Sequence, residues 1–180
     1  KIRDALDSQF LVYLAKLHQR AHSHLGAFAA VTELIQRGSP AAATKWASEI
    51  VFPVEFWSLI EPAAKQKEIS SLWVLSLIKQ ESAFDTGALS GSGAVGLMQI
   101  MPATAVEVDP KLLRVELPEN ARNIQTGTAY MAFLLKRFKG NLALATAGYN
   151  AGPQAVDRWL KEFGTKDAGT LLGMIEFIES

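Results

Sequence analysis

Residues 70–84 read SSLWVLSLIKQESAF, and this stretch decides the fold. It contains neither glycine nor proline, and Ser70 or Ser71 is a suitable N-cap for a helix. The spacing of its apolar residues predicts a helix over residues 72–83, about three turns long, with one face buried.

Glu81 lies near the end of this predicted helix, on its apolar face. It follows Leu77 by four residues and Ile78 by three, so a helix places it in line with both. Burial disfavours an ionised carboxylate and raises its pKa, which suits a proton donor that works near neutral pH. Glu81 is therefore the candidate acid, although an acid at this position in a helix is more often a boundary residue.

A glycine-rich segment over residues 87–96 follows the helix and contains four glycines among small side chains. This composition predicts a loop or tight hairpin pressed close to a neighbour, and any β structure is expected here. An acid at the end of a buried helix that faces such a loop can form a cleft for an extended neutral polymer. No Lys-Ser or Lys-Thr pair follows the last glycine, so a nucleotide site is not indicated.

A second carboxylate would be expected near Glu81 in a conventional glycosidase, because those enzymes pair two carboxyl groups about 5–9 Å apart. Asp85 is the nearest acid in sequence, one helical turn after Glu81. An Asp followed by Thr86 and Gly87 is more typical of a helix terminus, and we favour that structural role. Without a partner, Glu81 would act first as acid and then as base, and the substrate would supply its own nucleophile.

The rest of the chain is also predicted to be mainly α-helical. Apolar residues recur every three or four positions in further segments, which are 2–17, 28–38, 53–62, 123–138, 141–147 and 153–163. A soft boundary near Ser48 separates a helical segment, residues 1–48, from a main domain, residues 49–180. Pro53 is expected to begin a helix that Pro62 ends or kinks.

The composition excludes several classes of function. The formal net charge is zero and like charges do not cluster, which argues against nucleic acid as a partner. The longest apolar runs are far shorter than the roughly 18 residues of a membrane span. Cysteine is absent, which excludes disulfides and thiol catalysis. The three histidines lack further ligands at metal-binding spacing, so neither a metal nor another cofactor is expected. Because the chain begins at Lys1 with no signal segment, we interpret it as a processed or trimmed piece.

Taken together, four ordered motifs resemble the SLT domain of the soluble lytic transglycosylases, a branch of the goose-lysozyme-like fold. Residues 80–85 look like the family's glutamate-serine motif, and residues 88–105 look like its Gly-Leu-Met-Gln block with the preceding loop. Residues 123–130 are similar to the Asn-Ile-x-x-Gly-x-x-Tyr helix, and residues 147–153 to the Ala-Tyr-Asn-Ala-Gly-Pro turn. Gly148 departs from the family, which usually has alanine there.

The resemblance implies a lysozyme-like catalytic domain, mainly α with a small β-hairpin or loop region, preceded by short helices. It implies that Glu81 is catalytic, that Ser90 lies beside it, and that a sugar-binding groove is formed by Met98, Gln99, Met101, Tyr149, Asn150 and Ala151. Glu179 corresponds to a cleft residue of the family. The family continues this segment beyond Ser180, so we expect the catalytic domain to be C-terminally truncated.

The function implied is that of a periplasmic enzyme that cleaves peptidoglycan glycan strands. The bond would be the β-1,4 link from N-acetylmuramic acid (MurNAc) to N-acetylglucosamine (GlcNAc), and the product a 1,6-anhydroMurNAc end. By the same resemblance, residues 1–48 are the end of a helical superhelix. Three alternatives stay open. They are a hydrolytic muramidase that uses Asp85 or Glu179 as base, an inactive peptidoglycan-binding or scaffold protein, and a helical adaptor. The sequence indicates no protein partner.

Overall fold

The computed structural model describes residues 2–111 and 116–163, and this part of the chain is mainly helical. A short 3-10 helix, Pro40–Ala43, lies between the second and third α-helices. In chain order the helices are α1 Ile2–Arg20, α2 His24–Gln36, α3 Lys45–Val51, α4 Trp57–Gln66, α5 Ser71–Ser82, α6 Pro102–Val108, α7 Asn120–Arg137, α8 Leu142–Ala151 and α9 Pro153–Phe163. The prediction of a mainly α protein is confirmed.

Helix α5 begins and ends close to the predicted residues. The Ser70 hydroxyl accepts a hydrogen bond of 3.4 Å from the backbone N–H of Trp73, which is the expected N-cap contact. The helix ends at Ala83, whose backbone is left-handed with φ of 48°. Its buried residues are Val74, Leu77 and Ile78, so the apolar stripe read from the sequence is the face that packs into the core.

The glycine-rich segment forms a compact loop. Leu89 pairs with Val95, and Val95 with Ile100, as isolated antiparallel bridges, and the described residues contain no longer strand. Gly96 has φ of +75°, and a Cβ atom there would lie 2.6 Å from the side-chain nitrogen of Asn123. A glycine is therefore required for both the backbone angle and the close approach of α7. The sequence predicts a hairpin or a loop in this segment, and the structure shows a loop.

The buried side chains form two clusters along the chain. The larger cluster is built from α4 to α9 and includes Ile60, Ile78, Leu97, Ile124 and Leu134. The smaller one is built from α1 to α3, and its buried residues are Ala15, Ala27, Ala30, Val31, Ala47 and Ile50. Ser48 lies within α3, next to residues of the smaller cluster. The division into residues 1–48 and 49–180 stays a prediction.

Helix α4 differs from the sequence-based expectation at both ends. It begins at Trp57, after Phe56 in a left-handed conformation, instead of at Pro53. It also continues past Pro62 to Gln66. Burial of Ile60, Ala63 and Ala64 on one face stabilises the helix on both sides of the proline, which is exposed. Tertiary packing here outweighs the helix-breaking tendency of proline.

No helix in the described part of the chain combines the length and the apolar character needed to cross a bilayer.

Candidate active site

The Glu81 side chain lies in the last turn of α5 and is partly buried. Burial raises the pKa of its carboxyl above the ordinary value for glutamate. The direction and the cause are those expected from its position on the apolar face of the helix. A carboxyl in this state holds its proton at a higher pH than an exposed glutamate and can act as a proton donor.

Tyr149, in α8, lies near enough to Glu81 for the charge of that carboxylate to act on its phenol. Burial raises the pKa of this phenol well above the usual value, and the negative charge of Glu81 and the nearby Tyr130 raise it further. The Tyr149 hydroxyl donates a hydrogen bond of 2.7 Å to the backbone carbonyl of Met98. The phenol therefore stays neutral and links α8 to the loop.

Met98 and Gln99 stabilise the glycine-rich loop through buried packing and hydrogen bonds. The Met98 side chain is fully buried, and a Cβ atom added to Gly127 would lie 2.5 Å from its sulfur. The Gln99 side-chain nitrogen donates to the carbonyls of Ala88 at 3.1 Å and Gly96 at 2.9 Å. Both residues thus fix the shape of the loop, and the Met98 side chain supports it from the core.

Asn123, in α7, is a site residue that the sequence analysis did not single out. Its side-chain oxygen accepts a 2.7 Å hydrogen bond from the Met98 N–H. Its side-chain nitrogen donates to the carbonyls of Val95 at 2.8 Å and Leu117 at 3.1 Å. The side chain is completely buried, so these bonds replace the water that its amide would otherwise bind. The only sequence signal was its place in the Asn-Ile-x-x-Gly-x-x-Tyr motif.

Ser90 is engaged within the loop. Its hydroxyl accepts a 2.9 Å hydrogen bond from the Ala94 N–H and lies 2.9 Å from the hydroxyl of Ser92. These contacts close the turn over residues 90–94. The predicted position of Ser90 beside the Glu81 carboxyl stays a prediction.

Three further predicted groove residues, Met101, Asn150 and Ala151, are accessible. Met101, 38% exposed, directly precedes α6, and Asn150 and Ala151 are exposed in the last turn of α8. The sequence analysis placed Asn150 and Ala151 in a turn, but the helix continues through them and the chain turns at Gly152. Glu179 lies outside the described residues. That these four residues bind substrate stays a prediction.

Asp85 has a local structural role. Its carboxylate accepts a 2.9 Å hydrogen bond from the backbone N–H of Gly87, and its side chain is exposed. This contact is an Asx turn at the end of the helix, as the residues Asp85-Thr86-Gly87 suggested.

Over residues 2–111 and 116–163, no group of three or more potential metal ligands is found.

Aromatic side chains extend from Tyr149 along α7. The rings of Tyr149 and Tyr130 are 5.5 Å apart at 51°, and those of Tyr130 and Phe133 are stacked at 6.2 Å. Burial and the charge of Glu107 raise the pKa of Tyr130, while Arg137 acts in the opposite direction. The site thus combines a partly desolvated carboxyl group with a row of rigid aromatic rings.

The fold is similar to solved structures of lytic transglycosylases, and it places the chain in the lysozyme-like class of these proteins. The lytic transglycosylase Slt of Pseudomonas aeruginosa, solved as an inactive glutamate-to-glutamine mutant, has a TM-score of 0.76 and 32% identity, over 94% of this chain and 27% of that one. The 70 kDa soluble lytic transglycosylase of Escherichia coli has a TM-score of 0.75 and 28% identity, over 95% of this chain and 27% of that one.

The sequence comparison gives the family. The soluble lytic murein transglycosylase of Salmonella typhimurium is 35% identical over 137 residues, which are 72% of this chain and 21% of that protein. Residues 58–171 match the Transglycosylase SLT domain family. The chain belongs to this family, and the predicted resemblance is confirmed. The chain spans about a fifth of the length of this curated relative.

Proposed function

We propose that the chain is the catalytic part of a peptidoglycan lytic transglycosylase with Glu81 as its acid and base. The observation that carries the proposal is the partly buried Glu81 carboxyl, with a raised pKa, at the end of α5 beside Tyr149. The names of the relatives support the same activity. An inactive glutamate-to-glutamine mutant of one relative is consistent with an essential glutamate in that enzyme.

In the first step, the protonated Glu81 gives its proton to the glycosidic oxygen between MurNAc and GlcNAc. The bond from C1 of MurNAc to this oxygen breaks, and its electron pair leaves with the oxygen as the 4-hydroxyl of GlcNAc. An oxocarbenium-like centre develops at C1. A carboxyl whose pKa is raised by burial is suited to this step, since it holds its proton to a higher pH than an exposed glutamate.

In the second step, the Glu81 carboxylate takes the proton of the C6 hydroxyl of the same MurNAc unit. The C6 oxygen attacks C1 and closes the 1,6-anhydro ring, while Glu81 regains its proton. No water is consumed and no second enzyme carboxylate is required. The engagement of Asp85 in its own turn favours this route over a hydrolytic muramidase.

Tyr149 and Asn123 support this chemistry from two sides. Tyr149 stays neutral near Glu81, so it adds no charge that would compete with the partly buried carboxyl. Asn123 and the Tyr149 hydroxyl both bind the Met98 backbone, so the loop that faces the acid is held by α7 and α8 together. A site fixed in this way needs little reorganisation when the substrate binds.

The substrate groove of the proposal holds a glycan strand of peptidoglycan. Its residues are Ser90, Gln99, Met101, Tyr149, Asn150, Ala151 and Glu179, and the fully buried Met98 shapes the groove from beneath. The balanced charge of the chain suits a glycan better than nucleic acid. We place the protein in the periplasm or cell envelope, where its murein substrate lies. Residues 1–48 are assigned to the end of a helical superhelix and residues 49–180 to the catalytic domain.

A paired binding and turnover assay tests the proposal. Purified peptidoglycan sacculi are incubated with the wild-type chain, with Glu81→Gln, and with Glu61→Gln as a control at an exposed glutamate of α4. The wild type and the control should release soluble fragments, whereas Glu81→Gln should release none and still sediment with the sacculi. Binding without release by all three proteins would instead support a scaffold function.

A further inference from the structure

The N-terminal segment contacts the end of α5 at Lys79, two residues before Glu81. The Lys79 ammonium lies 5.0 Å from the ring centre of Phe28 in α2 and 4.7 Å from that of Phe52, which directly follows α3. An ammonium held between two aromatic rings makes two cation–π contacts. Burial at this place also lowers the pKa of Lys79. The contact joins the smaller buried cluster to the helix that carries the proposed acid.

A second contact lies on the other side of Glu81. The Phe84 ring is only 3% exposed, and its centre is 5.8 Å from that of His24 in α2. A cavity of about 200 Å³ separates the two groups of helices, and its wall includes His24, Phe28, Ile50, Lys79, Gln80 and Phe84. The N-terminal helices therefore contact the chain both two residues before Glu81 and three residues after it.

The backbone between these contacts is strained. Ala83 has φ of 48° and Phe84 has φ of 65°, so two consecutive residues with side chains adopt the left-handed conformation. Such a conformation costs free energy and persists only where the surrounding structure holds it. Phe84 is buried in the larger cluster, and its ring also contacts His24, so α2 is one of the groups that hold this conformation. Loss of the N-terminal contacts would therefore allow the last turn of α5 to relax.

We propose that Phe28, Phe52 and His24 are positioning residues, which hold Glu81 in place by clamping Lys79 and Phe84. The inference rests on the proposed role of Glu81 as the acid. Displacement of a catalytic group by about 1 Å can cost roughly a hundredfold in rate. A relaxed turn would therefore lower kcat, while the groove residues of the loop and of α8 would continue to bind glycan.

The test removes the aromatic rings and keeps the apolar packing. In the full chain, Phe28→Leu and Phe52→Leu are combined, and the matched Phe28→Tyr and Phe52→Tyr pair keeps both rings. Phe10→Leu, at a position in α1 that is 60% exposed, is the control. Rates are measured on soluble, uncross-linked glycan strands, well below the unfolding temperature of each variant.

The clamp predicts that the double leucine variant loses about tenfold or more in kcat, with KM changed less than about threefold. The tyrosine pair and Phe10→Leu should keep wild-type kcat. Lys79→Met, which keeps the apolar stem and loses the charge, should also lower kcat. If the double leucine variant does not fold, the kcat of Lys79→Met tests the clamp in its place. Wild-type kcat in folded leucine and methionine variants would overturn the clamp.

The same experiment separates the clamp from the function on which it rests. If Glu81→Gln keeps full activity, the proposed function fails and the clamp fails with it. If Glu81→Gln is inactive while the clamp variants keep wild-type kcat, the clamp alone is wrong.

Discussion

The side-chain oxygen of Asn123 accepts a 2.7 Å hydrogen bond from the backbone N–H of Met98, 25 positions earlier in the chain. The bond fixes the glycine-rich loop to α7. The Tyr149 hydroxyl donates to the carbonyl of the same Met98, so both backbone polar groups of this one residue bind side chains of the helical core. The loop is thus anchored to both α7 and α8 in spite of its glycines.

Replacement of Asn123 by alanine should destabilise the protein strongly. The change removes the partners of Met98 N–H and Leu117 C=O. Val95 C=O loses one of two donors and keeps the Ile100 N–H at 3.1 Å. Each buried polar group left without a partner costs about 1–3 kcal/mol, so we expect a loss of about 2 kcal/mol or more. Urea unfolding at 25 °C measures this change in the free energy of unfolding. Asn150→Ala, at an exposed position, should change the free energy of unfolding by less than about 0.5 kcal/mol. A similar value for both variants would contradict the role of Asn123.

Gly127→Ala should also destabilise the protein. The added Cβ atom would lie 2.8 Å from the Cβ of Met98 and 2.5 Å from its sulfur, and the first of these atoms cannot swing aside. Overpacking costs about 1–3 kcal/mol and outweighs the gain of about 1 kcal/mol from alanine in a helix. Thermal unfolding should show a lower midpoint. Gly91→Ala, where nothing lies within 4 Å, is the control and should leave the midpoint unchanged.

Glu81→Gln should stabilise the fold at alkaline pH. The pKa of Glu81 is higher in the folded than in the unfolded chain. The unfolded state therefore releases this proton first, and stability falls as pH rises from the ordinary glutamate pKa through the raised one. The stabilising effect of the substitution should appear above this window and vanish below it. Thermal unfolding of both proteins at pH 4 and pH 8 measures the difference, with Glu61→Gln as control. An equal difference at both pH values would contradict the raised pKa.

Tyr149→Phe should lower activity without loss of the ring. The substitution removes the hydrogen bond to the Met98 carbonyl and leaves that group without this partner. We expect a loss of about 1–2 kcal/mol in the free energy of unfolding and a lower kcat, because the loop is no longer tied to α8. Steady-state kinetics with soluble glycan strands and urea unfolding measure the two effects. Wild-type values in both would show that the bond is dispensable.

Local patterns were sufficient to predict α5 and its cap. Ser70 and the spacing of Val74, Leu77 and Ile78 lie within a few residues of one another, and their interactions stay inside the helix. The raised pKa of Glu81 followed from the same spacing, because a position on the buried face of a helix implies desolvation.

Features that depend on distant contacts could not be predicted in this way. The three partners of Asn123 lie 6, 25 and 28 positions away, and the burial of Met98 depends on Gly127 across the core. The sequence indicates only that Gly148 departs from the alanine usual in the family. It is buried inside α8, where an added Cβ would lie 2.9 Å from the Phe138 ring, so the smaller residue there makes room for that side chain.

The most direct test of the central claim is mass spectrometry of the fragments released from purified peptidoglycan by the wild-type chain and by Glu81→Gln. The account predicts MurNAc ends that are one water lighter than hydrolysed ends, produced by the wild type and absent with Glu81→Gln. Ordinary reducing ends from the wild type, or anhydro ends from the Glu81→Gln variant, would contradict it.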